Sequence, residues 1–98
     1  MPKFVIERSI TSIGSASSAE MQAIAQKSCS VLKDLGPTVQ WVQSYVTPNK
    51  IYCVYNAESE ELVREHARRG GFPADAVERV TMLIDPTTAE PETLARAA

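Results

Sequence analysis

The chain has very few of the residues that build metal and redox motifs: one histidine and two cysteines in 98 residues. With His66 alone, neither HxxxH nor HExxH can be written, which excludes a site built from paired helical imidazoles. Cys29 and Cys53 lack CxxC spacing, which excludes a zinc ribbon and a thioredoxin-type motif. Both fall in apolar patterns and are expected as reduced core residues in a cytoplasmic protein, with a disulfide or a metal ligand as the alternative. Long apolar runs are missing too: none approaches the roughly 20 residues of a bilayer span. The start, MPKFVIERSI, lacks the basic segment and apolar stretch of a secretory signal. There is no excess of one charge. The formal net charge is −2, and Lys and Arg alternate with Glu, so nucleic acid and acidic membranes are not expected partners. Glycine is scarce, and Gly70-Gly71 follows a helical pattern instead of preceding one. It reads as a stop signal, not as a phosphate cradle or a dinucleotide fingerprint.

What is present is enough apolar content, 44 %, for one core. A domain this small buries only about 60–65 % of its unfolded surface, so a second copy covering one face would stabilise it. One domain is expected over residues 1–90, followed by a mobile tail over 91–98 that frays from a short helix at Glu92.

Periodicity divides the domain into six elements. Lys3–Ile10 alternates, with Phe4, Ile6 and Ile10 on one face and Val5, Glu7 and Ser9 on the other. Ser17-Ser18-Ala19-Glu20 is a capping box. It opens a helix whose apolar side holds Met21, Ile24, Ala25, Ser28, Val31, Leu32 and Leu35, and which Gly36-Pro37 ends. Thr38–Val46 and Ile51–Tyr55 are strands joined by Thr47-Pro48-Asn49-Lys50, a hairpin turn. Strict alternation puts Trp41, Gln43 and Tyr45 on one face of the first of these, and Val42, Ser44 and Val46 on the other. A second helix runs from Ser59 to about Arg69, acidic at its start and basic at its end. A fourth strand is expected over Glu78–Ile84. The order β-α-β-β-α-β predicts an α+β, ferredoxin-like fold: a four-stranded antiparallel sheet with two helices on one face. Because several strands are apolar on both faces, the open sheet face predicts a homodimer.

The candidate chemistry clusters on and near the second helix. Ser59, Leu62, Val63, His66, Ala67 and Gly70 share its apolar face. His66 is therefore either a hydrogen-bonded histidine in or beside the core, or a ligand or proton carrier lining a pocket against the sheet. Glu61 and Glu65 form an i, i+4 carboxylate pair that can chelate a cation, or else join a lattice of ion pairs with Arg64, Arg68 and Arg69. Of Glu7 and Arg8, one charge is expected under cover, at the sheet rim or in a polar pocket with His66, Gln43 or Tyr45. Trp41, Tyr45, Tyr52 and Tyr55 are read as core and interface packing, since no RNA-stacking motif accompanies them.

MPKFVIER, AQKSCSVLKDLGPTVQWVQSYVTPNKIYCVY and EELVREHARRGGFPADAVERV together resemble a family of small bacterial proteins of unassigned function, labelled nickel-binding. The resemblance covers about Met1 to Glu90. It implies a ferredoxin-like homodimer and divalent nickel held at the protein surface, and it implies no reaction. His66, Glu65 and Glu61 are selected as metal ligands on chemical grounds, in weak, partly hydrated sites, some shared between molecules. The leading expectation is a soluble metal-binding homodimer that buffers or senses nickel. The alternative is a dimeric α+β barrel binding a small organic ligand, possible as a cofactor-free enzyme with His66 as acid/base and Glu7, Tyr45 or Cys53 nearby.

Overall fold

Capping and alternation place the elements in the expected order. In the computed structural model, which describes residues 1–91, β1 is Lys3–Ser9, α1 Ser18–Leu35, β2 Val39–Val46, β3 Lys50–Ala57, α2 Glu60–Gly70 and β4 Ala76–Arg79. The tail expected from residue 91 lies, beyond Pro91, outside the described residues.

Both helices begin where a side chain takes up a loose amide. Ser17 Oγ accepts from the Glu20 N–H, and the Glu20 carboxylate accepts from the Ser17 N–H. Ser59 Oγ accepts from the Leu62 N–H to start α2. Gly71 ends α2 with φ 72°, a left-handed turn that a β-carbon would strain.

The sheet order is β2-β3-β1-β4, with every neighbour antiparallel. This is the ferredoxin-like α+β arrangement. Phe4, Ile6, Ile51, Cys53, Tyr55 and Val77 point from the sheet into the core, where they meet Val63 of α2. Met21, Ile24, Leu32 and Leu35 of α1 pack against the same cluster. The opposite sheet face carries Val5 across from Val54, and Glu7 across from Tyr52. No helix among the described residues is long and apolar enough to cross a membrane.

Three expectations are corrected. First, β2 does not alternate strictly. Trp41 pairs with Tyr55 and Gln43 with Val54, so Val42 is the extra residue of a β-bulge. One extra residue reverses the faces beyond it. Trp41 therefore shares the helix side with Ser44, to whose Oγ its indole N–H donates at 2.9 Å. Gln43 and Tyr45 lie on the open side with Val54 and Tyr52, and hydrogen-bond each other. Second, β4 ends at Arg79 and does not reach Ile84. The Val80 N–H donates to the Lys3 carbonyl, at the beginning of β1, and beyond it β1 offers nothing to pair with. Met82, Leu83 and Ile84 are consequently more than two-thirds exposed, at 76, 73 and 70 %. Third, Cys29 is exposed on α1, and only Cys53 is a core residue.

Candidate functional site

Strand alternation settles which charge of the first strand is covered. Phe4, Ile6 and Arg8 share the inward side of β1, and Arg8 is 3 % exposed. Glu7 faces outward, where it accepts from Lys50 Nζ at 2.5 Å. The Arg8 guanidinium is held at two of its three nitrogens: Nε donates to Cys53 Sγ at 3.4 Å, and Nη1 to the Pro73 carbonyl at 2.6 Å. Nη2 is buried with no hydrogen-bond partner among the described residues. Phe72 lies alongside, its ring centroid 5.5 Å from the guanidinium carbon. No ion pair of Arg8 occurs among the described residues.

His66 reaches the same region from α2 and is fully buried. Its Nε2 lies 3.0 Å from Ser28 Oγ of α1. Its ring is flanked by Tyr55 and Phe72, with centroids 5.1 and 5.8 Å away. Nδ1 has no partner. A buried N–H without an acceptor is costlier than an idle lone pair, so the proton is assigned to Nε2, which donates to Ser28. Burial holds the imidazole below its ordinary pKa of 6.5, and the nearby Arg8 charge adds to this. His66 is therefore neutral at neutral pH. Burial likewise raises the Tyr55 phenol, against the opposing influence of Arg8 and Ser28.

Between α1 and the sheet these residues close one end of a cavity of about 330 Å³. Met21, Ile24 and Ala25 form its helix wall, and Trp41, Val46 and Ile51 its sheet wall. Arg8, Ser28, Cys53 and Tyr55 supply the polar end. The loop after α2 adds Phe72, whose ring folds back over Gly70, a position where a β-carbon would collide with it.

The structure distributes the expected site residues among three places. His66 faces the core from α2. Glu65 points outward, its carboxylate accepting from Arg68 Nε at 3.0 Å and Arg69 Nε at 2.7 Å. Those hydrogen bonds hold Glu65 below the usual carboxylate range. Glu61 is exposed beside it. Among the described residues no three His, Cys, Asp or Glu side chains converge as a metal would require. Within one protomer the expected donors are thus apart: His66 lies in the core, and Glu65 and Glu61 on the outer side of α2. The set expected for acid/base chemistry is also divided: His66 and Cys53 lie on the helix side of the sheet, Glu7 and Tyr45 on the other. Strand parity separates Glu7, and the Val42 bulge separates Tyr45. From sequence Arg8 is one of two charges expected under cover, while Ser28, Tyr55 and Phe72 are not singled out for a site. Arg8 shares a strand face with Phe4 and Ile6, and Ser28 sits on the apolar side of α1, but alternation alone does not say which face of the strand turns inward.

Fold and site together define a small ferredoxin-like α+β protein with a buried arginine–histidine cluster at the end of an apolar cavity. The chain belongs to the SCO4226-like family, described as nickel responsive protein SCO4226-like, whose family model matches residues 4–80. A similar solved structure is that of SCO4226 from Streptomyces coelicolor A3(2), at 26 % identity and a TM-score of 0.70, covering 84 % of this chain and 99 % of that one. No curated protein matches the chain.

Proposed function

We propose that this protein is a cytoplasmic, nickel-responsive homodimer that buffers or senses the ion without catalysing a reaction. The observation that carries this reading is the family match over residues 4–80, nearly the whole folded domain. The donor chemistry adds a condition. One protomer brings no three metal-binding side chains together among the described residues. Nickel is therefore taken at surface sites completed by water or by a second molecule, with Glu61 and Glu65 as the α2 contribution. His66 contributes through the fold, since its ring is enclosed by Tyr55, Phe72 and Ser28. Two surfaces support dimerisation: the open sheet face with Val5, Tyr52 and Val54, and the exposed run Met82, Leu83 and Ile84. Two unpaired cysteines, one exposed, suit a reducing compartment.

The test is nickel calorimetry on tag-free protein, with zinc and magnesium as controls. Wild type is compared with a Glu61→Gln, Glu65→Gln double variant and with His66→Gln. Saturable nickel binding that weakens at least tenfold in the double variant, about 1.4 kcal/mol, supports the reading. Binding lost only in His66→Gln, with the fold intact by circular dichroism, would move the site into the core. The absence of nickel heat at millimolar metal would remove the reading.

The cavity under α1 favours a second reading, in which the domain also holds a small organic molecule. His66 does not line that cavity; it reaches it through Ser28. This second role is binding.

A further inference from the structure

We infer that the cavity takes a small organic monocarboxylate, its anionic end against Arg8 and its apolar body between α1 and β2. The inference rests on the second reading above and adds the class of ligand. A guanidinium stays charged under all ordinary conditions. Burying that charge without a counter-charge is costly, and here Nη2 also lacks any hydrogen-bond partner. The Cys53 thiol and the Pro73 carbonyl fix the orientation of the group without neutralising it. An anion arriving through the cavity, which Arg8 lines, would supply the counter-charge, and a small shift of the enclosed guanidinium would bring Nη2 to it as the missing acceptor.

The rest of the lining selects among anions. Among the described residues Arg8 is the only charged side chain of the cavity wall, so one negative charge is balanced and a second is not. That favours a carboxylate over a phosphate. The Ser28 hydroxyl accepts from His66 Nε2, so its own proton is shared between the Tyr55 phenol and a ligand oxygen. Beyond this polar end the walls are mainly Met21, Ile24, Trp41 and Val46, with the Ser44 hydroxyl engaged by the Trp41 indole, which suits a largely apolar body. The volume, about 330 Å³, lies at the low end of the roughly 300–1,000 Å³ typical of small-molecule sites. A short acyl chain or a single ring fits it; a large cofactor does not.

Trp41, the single tryptophan, lines the cavity and reports directly on occupancy. The experiment titrates tag-free protein in chelator-treated buffer at pH 7 with octanoate, 1-octanol and inorganic phosphate, following Trp41 emission and heat. The expected result is octanoate binding at least tenfold tighter than octanol, with no response to phosphate. In Arg8→Met, octanol binding should persist and the preference for octanoate should disappear. Ala25→Phe, which fills the cavity from α1, should abolish both. Wild type binding octanol and octanoate equally would overturn the carboxylate assignment while leaving the second reading standing. No response to either probe would overturn both. Should Arg8→Met fail to fold, the charge preference of wild type and the Ala25→Phe result still decide: octanoate binding unchanged in Ala25→Phe would overturn the location.

Discussion

His66 Nε2 lies 3.0 Å from Ser28 Oγ and joins α2 to α1 inside the core, directly behind the end of the cavity where Arg8 sits. The pair is a polar contact in an otherwise apolar helix–helix interface, so its loss leaves a buried group unsatisfied. Ser28→Ala should cost about 1–3 kcal/mol by stranding the imidazole N–H. His66→Ala, which also empties the space between Tyr55 and Phe72, should cost about 2–5 kcal/mol. Urea denaturation of both variants checks this, and two values near zero would contradict the geometry.

The same burial sets a pH dependence. The imidazole binds a proton less readily folded than unfolded, because burial and Arg8 depress its pKa below 6.5. The unfolded chain therefore holds more protons in this range, and stability rises with pH. The contribution is fully present above the unfolded value and is lost as pH falls through the window below 6.5. The other shifted groups whose protonation would weaken the fold on acidification, Glu20, Glu65 and Asp85, are carboxylates that titrate lower. Melting temperature should fall between pH 7 and 5 in wild type, and more shallowly in His66→Gln. Equal slopes would contradict a neutral buried His66.

Phe72 gives a further prediction through Gly70. A β-carbon at position 70 would collide with the Phe72 ring, which is itself packed against His66 and Arg8. Gly70→Ala should destabilise by about 1–3 kcal/mol, although alanine is the better helix former. A gain in stability would show that the ring moves aside easily.

The two cysteines should differ sharply in reactivity. Cys29 is exposed and Cys53 is buried with its sulfur accepting from Arg8 Nε. A bulky thiol reagent should label Cys29 alone in the native protein and both only after denaturation, as read by intact mass. Rapid native labelling of Cys53 would contradict its packing.

Much of this fold was legible in the sequence because its signals are local. The Ser17 box, the Ser59 cap, the Gly71 stop and the Thr47–Lys50 turn each act within a few residues, and each formed as read. Non-local pairing was harder to read. No local signal marks Val42 as a bulge; its position depends on how β2 registers against β3, and that one residue decides that Trp41 faces the cavity and Tyr45 does not. The end of β4 depends on where β1 starts, not on the alternation of Val80, Met82 and Ile84. The site was half visible. His66 was placed inward from helical spacing, but its partner Ser28 is 38 residues away on another helix. The choice between Glu7 and Arg8 needed the orientation of the sheet.

The most direct test of the central claim, that the protein is a nickel-binding homodimer paired through its open sheet face, joins mass to metal binding. Val54 lies at the middle of the open sheet face, opposite Val5 and Gln43, and Val54→Glu places a charge there. Tag-free wild type and this variant would be measured by light scattering and then titrated with nickel. The expected result is a dimer of about twice 10.7 kDa for wild type with saturable nickel binding, and a folded monomer for the variant. A monomeric wild type, a variant that stays dimeric, or a wild type that takes up no nickel would contradict the claim.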